Sequence, residues 1–205
     1  MGARQELTFG DVVVNDDFVP RALQRRITAL AQGPIWQYGW RSNSRRDRFC
    51  FWHAHFAGGD GKARVGCEDE LLSKSELLPI HELWQILKAG PLQGHEPLRM
   101  YANGHTYGVE GYVHTDNDDT ENYFTTVYYA HPVWHENWVG ETVFYTPDRK
   151  DIIRSVFPRP GRMVSFHGAI PHAARGPSRD CTELRICVVF KTQKVSDEVS
   201  SHVGV

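Results

Sequence analysis

The sequence predicts a mainly β fold, a double-stranded β-helix (jelly roll) supported by two or three N-terminal α-helices. From Leu98 onward the chain contains eight short segments with strand-like patterning, separated by turns. Such spacing is typical of a sandwich or barrel. Two amphipathic helical segments come before these strands. Helices grouped ahead of the strands favour a jelly roll with the helices packed on one outer face.

Both helices lie in a support region of about residues 1–97. The first follows Asp16 and Asp17, which are suited to cap it, and stops at Gly33. Leucine and isoleucine recur along it at spacings of four and three residues, so they form one apolar stripe. The second helix is predicted over 77–87, where the apolar side chains also share one face.

Strands are predicted on both sides of the first helix and throughout the second half of the chain. Segment 7–14 ends in a β-branched run, and 35–56 alternates aromatic and polar residues around a basic loop at 41–48. The predicted strands of a β-helix core over about 98–191 are 98–106, 109–115, 123–130, 141–146, 151–157, 162–167, 171–174 and 183–191. The polar tail 192–205 is predicted to be flexible, and 1–205 to form one domain.

The composition excludes several classes of protein. A formal net charge of −2 argues against a basic nucleic-acid binder, and no apolar run approaches the roughly 20 residues that span a bilayer. The N-terminal residues lack the apolar core of a signal peptide, and the four cysteines match no zinc site. We therefore expect a cytoplasmic protein with reduced thiols and no nucleic-acid or membrane partner, with a homodimer as the candidate assembly.

The segment GYVHTDND at 111–118 carries the strongest chemical signal. His114 and Asp116 are two residues apart, so on a strand they point to the same face and can reach one ion. His172 follows a proline further along the chain and can supply a third ligand, with His167 as the competing candidate. Two histidines and one carboxylate on one face of an octahedron form the facial triad of iron(II) oxygenases.

A basic residue follows the third ligand on the last predicted strand. In ELRICVVFK, Arg185 alternates with the apolar Leu184, Ile186 and Val188 and so faces away from them, towards a barrel interior. A buried guanidinium needs a carboxylate partner, and the distal carboxylate of 2-oxoglutarate fits its planar fork. Lys191 is the second candidate for this role.

These motifs, in their order, resemble the prolyl 4-hydroxylase-like branch of the 2-oxoglutarate and iron(II)-dependent oxygenases. The matching segments are RMYANGHTYGVEGYVHTDN, GETVFYTP, PRPGRMVSFHGAIPHAARGP and ELRICVVFK. The resemblance implies that His114, Asp116 and His172 bind iron and that Arg185 anchors 2-oxoglutarate. It also implies a hydroxyl donor to the co-substrate at Tyr101, with Asn103 and Arg99 as nearby alternatives.

The implied cofactors are Fe(II), 2-oxoglutarate and O₂, with ascorbate as a candidate reductant. The resemblance implies hydroxylation of a C–H bond with release of succinate and CO₂. Related halogenases have glycine or alanine in place of the carboxylate ligand, so Asp116 disfavours halogenation. Desaturation and ring formation stay open with the same triad.

Four further residues are predicted to line the substrate pocket. Thr126 and Tyr128 lie on the strand after the HxD motif, where ordinary cross-strand packing is the alternative explanation. Trp134 and Trp138 lie in the connection HPVWHENWVG. That connection is either a lid beside the iron or a hydrophobic plug that closes the barrel mouth.

Two substrate classes compete. The enclosed aromatic connection favours a small molecule, such as an amino acid or biosynthetic intermediate. The alternative is a prolyl or other residue in a protein or peptide, as in the branch that the sequence resembles. Outside this chemistry, the rival hypotheses are a cupin-like metalloenzyme that needs no 2-oxoglutarate and a jelly-roll binding module with structural histidines.

Overall fold

The computed structural model describes residues 11–42, 47–59, 64–109 and 111–195, in which ten strands and three α-helices form. The helices are α1 (Arg21–Ala31), α2 (Glu68–Leu72) and α3 (Leu78–Ala89). The strands are β1 (Val12–Asn15), β2 (Gln37–Trp40), β3 (Phe51–Ala57), β4 (His95–His105), β5 (Tyr123–Tyr129), β6 (Thr142–Tyr145), β7 (Ile152–Val156), β8 (Met163–His167), β9 (His172–Ala174) and β10 (Arg185–Lys194).

The strands form two antiparallel sheets. The larger has seven strands in the order β1-β8-β5-β10-β4-β3-β2, and the smaller has three in the order β7-β6-β9. A shared apolar cluster joins them, in which Phe144 of the small sheet contacts Phe166 of the large sheet edge to face. Two facing sheets with helices to one side confirm the predicted jelly-roll fold class.

The helices cover the outer face of the large sheet. Leu23 and Ile27 of α1 and Leu83 and Trp84 of α3 are buried against this face, and the Trp84 ring stacks at 6.1 Å on Phe190 of β10. Burying one such side chain contributes about 1.5–3 kcal/mol to stability. This layer fixes which face of the large sheet is outside, and therefore which face is left for a site.

Strand β10 shows how alternation divides its side chains between the two faces. Ile186 and Val188 belong to the cluster under the helices, whereas Cys187 and Val189 belong to the cluster between the sheets. Successive side chains of a strand point to opposite faces. Arg185 is therefore directed between the sheets, as predicted, and it is fully buried.

Two predicted elements differ from the structure. Segment 109–115 forms no strand in its described part; only an isolated bridge pairs His114 with His172. The predicted tail begins too early, because β10 continues to Lys194 and pairs there with His95. Of the predicted tail, the structure describes residues 192–195, and residues 196–205 lie outside the described part.

The predicted cap of α1 is also wrong. Pro20 occupies the N-cap position, and no side chain caps the helix. Asp16 instead accepts two hydrogen bonds of 2.8 Å from the Arg162 guanidinium, which ties the end of β1 to the start of β8. Of the strand predicted over 7–14, residues 7–10 lie outside the described part, as do 43–46 of the basic loop.

Two findings bear on the compositional expectations. No helix in the described ranges is long and apolar enough to cross a membrane. All four cysteines are free thiols, and burial raises the pKa of the Cys67 thiol to about 12.

Candidate active site

Three side chains predicted as metal ligands converge at one end of the space between the sheets. The ligand atoms of His114, Asp116 and His172 all lie within 4.8 Å of one another. Asp116 Oδ1 is 3.5 Å from His114 Nε2, and Asp116 Oδ2 is 3.5 Å from His172 Nε2. His167, the competing candidate, instead stacks on Phe124 at 4.2 Å and is not part of this group.

Backbone contacts bring the three residues together. His114 and His172 exchange both backbone hydrogen bonds, at 3.0 and 2.9 Å, and the Asp116 amide donates to Gly168 O at 2.8 Å. The HxD motif therefore meets the start of β9 through one narrow bridge rather than through the continuous strand that the sequence predicted. A bridge is sufficient, because it places the two imidazoles opposite each other at a ring separation of 4.5 Å.

Each imidazole is held in one orientation by a backbone carbonyl. His114 Nδ1 bonds Tyr112 O at 2.8 Å, and His172 Nδ1 bonds Ile170 O at 2.9 Å. A proton on Nδ1 leaves Nε2 free as the ligand atom, which is the usual arrangement of metal-binding histidines. Both Nε2 atoms face Asp116.

The charges at the triad are strongly coupled. Burial lowers the pKa of His172 to about 3, so this imidazole is neutral near pH 7 and able to bind a metal. Burial alone would raise the pKa of Asp116, yet that pKa lies well below its usual range because the positive charge of Lys191 stabilises the carboxylate. Asp116 is therefore ionised.

The donor set fits a ferrous ion. Two imidazole nitrogens and one carboxylate oxygen are ligands that iron accepts, and a three-residue set on one side leaves positions open for co-substrate and O₂. Thr125 Oγ1 donates to Asp116 Oδ2 at 2.6 Å and Lys191 also contacts this oxygen. The carboxylate is thus oriented by the large sheet as the histidines are by the backbone.

Across a narrow cavity of about 70 Å³ from the triad lies Arg185. Its Nε donates to Gly140 O, its Nη2 to Thr142 Oγ1 at 2.9 Å, and its Nη1 to Cys187 Sγ at 3.1 Å. Each terminal nitrogen of a guanidinium carries a second N–H. Within the described ranges those two groups have no partner, and no carboxylate pairs with this buried cation.

The Gly-Glu-Thr motif explains how Arg185 is held. Gly140 has a φ of +84°, and a Cβ there would lie 3.3 Å from the Arg185 side chain and 2.9 Å from Trp134. Glycine therefore lets the carbonyl approach the guanidinium closely. Thr142, two residues on, also bonds the Tyr129 hydroxyl at 2.7 Å, so the motif connects Arg185 to β5.

Arg185 and the triad fit a bound 2-oxo acid. A buried, unpaired cation is costly unless an anion accompanies it, and the unpartnered N–H groups form a fork that suits a carboxylate. His105, which lines the same cavity, has a buried Nδ1 without a partner among the described residues. Such orphaned polar groups are expected beside a polar ligand.

Tyr101 and Asn103, predicted to contact the co-substrate, line this cavity with their side chains. Tyr101 is partly buried, and burial raises the pKa of its hydroxyl, which therefore stays protonated. Asn103 Oδ1 lies 2.8 Å from His53 Nδ1. Both positions agree with the predicted roles, which remain proposals.

The prediction that Thr126 and Tyr128 line the pocket is wrong by one residue. Thr126 bonds Ser165 on the neighbouring strand, and Tyr128 is buried in the cluster under the helices. Their neighbours Thr125 and Val127 line the cavity instead. No residue of β5 is charged. The sequence therefore has no alternation of charged and apolar residues that would identify the face turned towards the cavity.

Trp134 and Trp138, the other predicted pocket residues, pack against each other and away from the triad. Trp134 is 8% exposed, donates to Val139 O at 2.8 Å and packs close to Gly140. Trp138 packs against Trp134 edge to face at 5.4 Å. Neither ring lines the two cavities beside the triad.

Sequence reasoning missed Tyr129, which contacts Arg185, and His105, which lines the cavity. Tyr129 shares Thr142 with Arg185, and the Arg185 guanidinium lies 5.5 Å from its ring. His105 lies at the end of β4, on the same face as Tyr101 and Asn103. The period-two spacing of residues 101, 103 and 105 was the available signal for His105.

Comparison with known proteins gives a consistent result. Residues 98–190 match the sequence model of the 2OG-Fe(II) oxygenase superfamily. No curated protein matches the chain significantly in sequence.

Solved structures share the fold at low identity. A Burkholderia pseudomallei oxidoreductase of the 2OG-Fe(II) oxygenase family has a TM-score of 0.68 at 15% identity, covering 91% of this chain and 86% of that one. A Trichoplax adhaerens prolyl hydroxylase, solved with a hypoxia inducible factor peptide fragment, has 0.58 at 17%, covering 91% and 84%. A Pseudomonas putida prolyl-4-hydroxylase has 0.56 at 17%, covering 91% and 94%.

Proposed function

Through residues 98–190 the chain belongs to the 2-oxoglutarate and Fe(II)-dependent oxygenase superfamily, and we propose that it hydroxylates an unactivated C–H bond of a small molecule. As a dioxygenase of this superfamily it uses Fe(II), 2-oxoglutarate and O₂. The proposal assigns His114, Asp116 and His172 as the iron ligands and Arg185 as the anchor of the co-substrate, within one catalytic domain.

One observation carries the residue assignment. A fully buried arginine without a carboxylate partner among the described residues lies across a narrow cavity from a two-histidine, one-aspartate cluster. The protein retains this unpaired cation although burying it is unfavourable. A ligand with a metal-binding end and an anionic end satisfies both sides of the cavity, and 2-oxoglutarate has that form.

Bound iron and 2-oxoglutarate supply the oxidising power, since O₂-driven decarboxylation to succinate and CO₂ is coupled to oxidation of the substrate. The chain orients and shields these groups. Tyr112 O and Ile170 O hold the two imidazoles, and Thr125 holds the carboxylate of Asp116. Val127 and Val189 give the cavity apolar walls, which limit access of water to it.

The direct test is an anaerobic titration of the protein with Fe(II) and then 2-oxoglutarate. We expect a weak visible metal-to-ligand charge-transfer band that saturates with the co-substrate, and none when succinate replaces it. Succinate release under O₂, measured across a panel of small acids, amino acids and peptides, then identifies the substrate. Absence of the band with fully folded protein would reject the proposed function.

The panel also separates the two substrate classes. A prolyl or other residue hydroxylase would release succinate with proline-containing or mixed peptides and stay at background with free small molecules. The favoured small-molecule function predicts the reverse. The solved neighbours do not decide this point, because identities of 15–17% report the fold alone.

A further inference from the structure

We infer that the substrate of this site is a small molecule bearing a carboxylate, which Arg99 binds with support from the positive charge of Lys191. This inference rests on the proposed function and specifies its substrate class. Three observations support it: a second cavity at the triad, an arginine in it that pairs with no acidic residue of the described ranges, and a lysine opposite that arginine on the neighbouring strand.

The second cavity opens from the triad on the side away from Arg185. Its volume is about 440 Å³, within the range of small-molecule sites. It shares Tyr101, His114 and Asp116 with the narrow cavity that reaches Arg185, and it also contains Arg99. A molecule bound here would therefore lie beside the ion that the triad holds, while 2-oxoglutarate occupies the other side.

Arg99 is positioned but unpaired. Its guanidinium carbon lies 4.9 Å from the Trp40 ring centroid and 4.7 Å from that of Tyr101, so two aromatic rings hold it. Its Nε is buried without a hydrogen-bond partner, and no acidic residue of the described ranges pairs with it. A buried donor without an acceptor is unfavourable, and an arriving carboxylate would supply that acceptor.

Lys191 stands directly opposite Arg99 on the adjacent strand β10. Like charges at such opposed positions destabilise a sheet, and Lys191 is itself only 7% exposed. Its Nζ contacts Asp116 and lies 3.1 Å from Thr125 Oγ1. Asp116 therefore serves as the acidic partner of Lys191, and this carboxylate is also assigned to the metal.

The charge balance of the loaded site favours an anionic substrate. The two charges of Fe(II) and that of Arg185 are matched by those of Asp116 and 2-oxoglutarate. The charge of Arg99 then has no acidic partner among the described residues, and the one carboxylate that Lys191 contacts is shared with the ion. A substrate carboxylate near Arg99 neutralises part of this excess where Coulomb interactions are strong.

The third cation of this cavity has a different status. Arg64 is about half exposed and already pairs with Asp119 at 3.2 Å and contacts Asn117 Oδ1 at 3.4 Å. Its charge is therefore compensated by the protein. This difference makes Arg64 a matched control for Arg99, because both variants remove one positive charge from the same cavity.

The test uses the protein loaded anaerobically with Fe(II) and 2-oxoglutarate, and adds pairs of small molecules that differ only in a carboxylate. Free amino and organic acids are compared with their amides, with phosphate monoesters and with acidic peptides. Binding is followed by heat and by the change in the visible band. We expect acids to bind and their amides to bind at least about 10-fold more weakly, since bonds to charged groups are worth about 1.5–3 kcal/mol.

Variants then assign the contact. Arg99→Gln should weaken binding of the acid by about 10- to 100-fold, with the affinity for 2-oxoglutarate unchanged and the unfolding transition retained. Arg64→Gln should change acid affinity by less than about 3-fold, since exposed charges are screened. Arg99→Lys keeps the charge but not the planar fork and should fall between wild type and Arg99→Gln.

Several outcomes overturn the inference. These are equal binding of acids and amides, no binding by any acid, a preference for phosphate monoesters or acidic peptides, equal effects of Arg99→Gln and Arg64→Gln, or loss of 2-oxoglutarate binding in Arg99→Gln. If the visible band forms, each result rejects only the substrate class. If the band does not form in the wild-type protein, the proposed function itself fails.

Discussion

Two arginines on adjacent strands of the large sheet face the same interior but are held very differently. Arg185 is fully buried, and three of its N–H groups are fixed by a backbone carbonyl, a threonine hydroxyl and a thiol. Arg99 is held by the faces of two aromatic rings and makes no hydrogen bond to a described residue. Hydrogen bonds therefore fix the orientation of the Arg185 guanidinium. Ring contacts fix the position of the Arg99 guanidinium but leave its N–H groups without an acceptor among the described residues.

This difference suits two kinds of ligand. A co-substrate that is identical in every turnover is best bound by a preorganised fork, because little rotamer entropy is lost on binding. A guanidinium between ring faces can adjust its donors to the substrate that enters. The comparison suggests that the closed end of the site serves the invariant chemistry and that the open end determines substrate selection.

The largest effect is expected when a metal ligand of the triad is removed, because the co-substrate and the substrate are both bound beside it. His172→Ala should weaken iron binding by more than about 100-fold, since even loss of an outer-shell partner of a metal ligand costs about 10- to 100-fold. His167→Ala is the matched control, because His167 stacks on Phe124 outside the triad. Fe(II) affinity measured anaerobically checks both, and equal losses in the two variants would contradict the assignment.

Matched variants of the two arginines test whether only Arg185 binds the co-substrate. Arg185→Gln should raise the Kd for 2-oxoglutarate by about 100-fold, because losing one partner of a buried charge pair costs about 2–5 kcal/mol. Arg99→Gln should leave that Kd within about 3-fold. Titration of the visible band measures both, and iron affinity should be retained in each. Similar effects of the two variants would show that both arginines serve the co-substrate.

Two adjacent tyrosines on β5 test which face of the large sheet is turned towards the co-substrate. Tyr129→Phe removes the hydroxyl that bonds Thr142 and should weaken 2-oxoglutarate binding about 5-fold, the value of one ordinary hydrogen bond. Tyr128→Phe lies under the helices and should leave that affinity unchanged. A larger effect at Tyr128 would mean that the inward face of β5 is misassigned.

The smallest effect is expected at Arg162, whose guanidinium is already paired with the carboxylate of Asp16. Asp16→Asn breaks the paired contacts with Arg162 and should cost about 1 kcal/mol of unfolding free energy without affecting iron or 2-oxoglutarate binding. Hydrogen bonding to Arg162 lowers the pKa of Asp16, so the native state binds fewer protons than the unfolded state. The stability difference between wild type and variant should be constant near neutral pH and shrink below about pH 4.

Denaturant unfolding at pH 7 and at pH 3 measures this difference. A gap between wild type and Asp16→Asn that widens as the pH falls would contradict the sign of the linkage. Loss of 2-oxoglutarate binding in the same variant would show that Arg162 does more than join β1 to β8.

Prediction from sequence succeeded where a local pattern has one structural outcome. On β10, Arg185 lies out of phase with Leu184, Ile186 and Val188, and it accordingly faces the interior. On β5 the run YFTTVYY offers no such contrast, and the prediction chose the wrong face. The segment that contains His114 was predicted as a strand, but it pairs with β9 only through a bridge at His114 and His172.

By itself the sequence determined the jelly-roll class, the candidate ligands and the inward direction of Arg185, because periodicity and motif spacing are properties of neighbouring residues. Only the tertiary structure decided that Lys191 stands opposite Arg99, that Trp134 packs close to Gly140, and that Arg99 Nε has no acceptor among the described residues. Strand register and burial depend on segments far apart in the chain. No local pattern encodes which partner a side chain meets across a sheet.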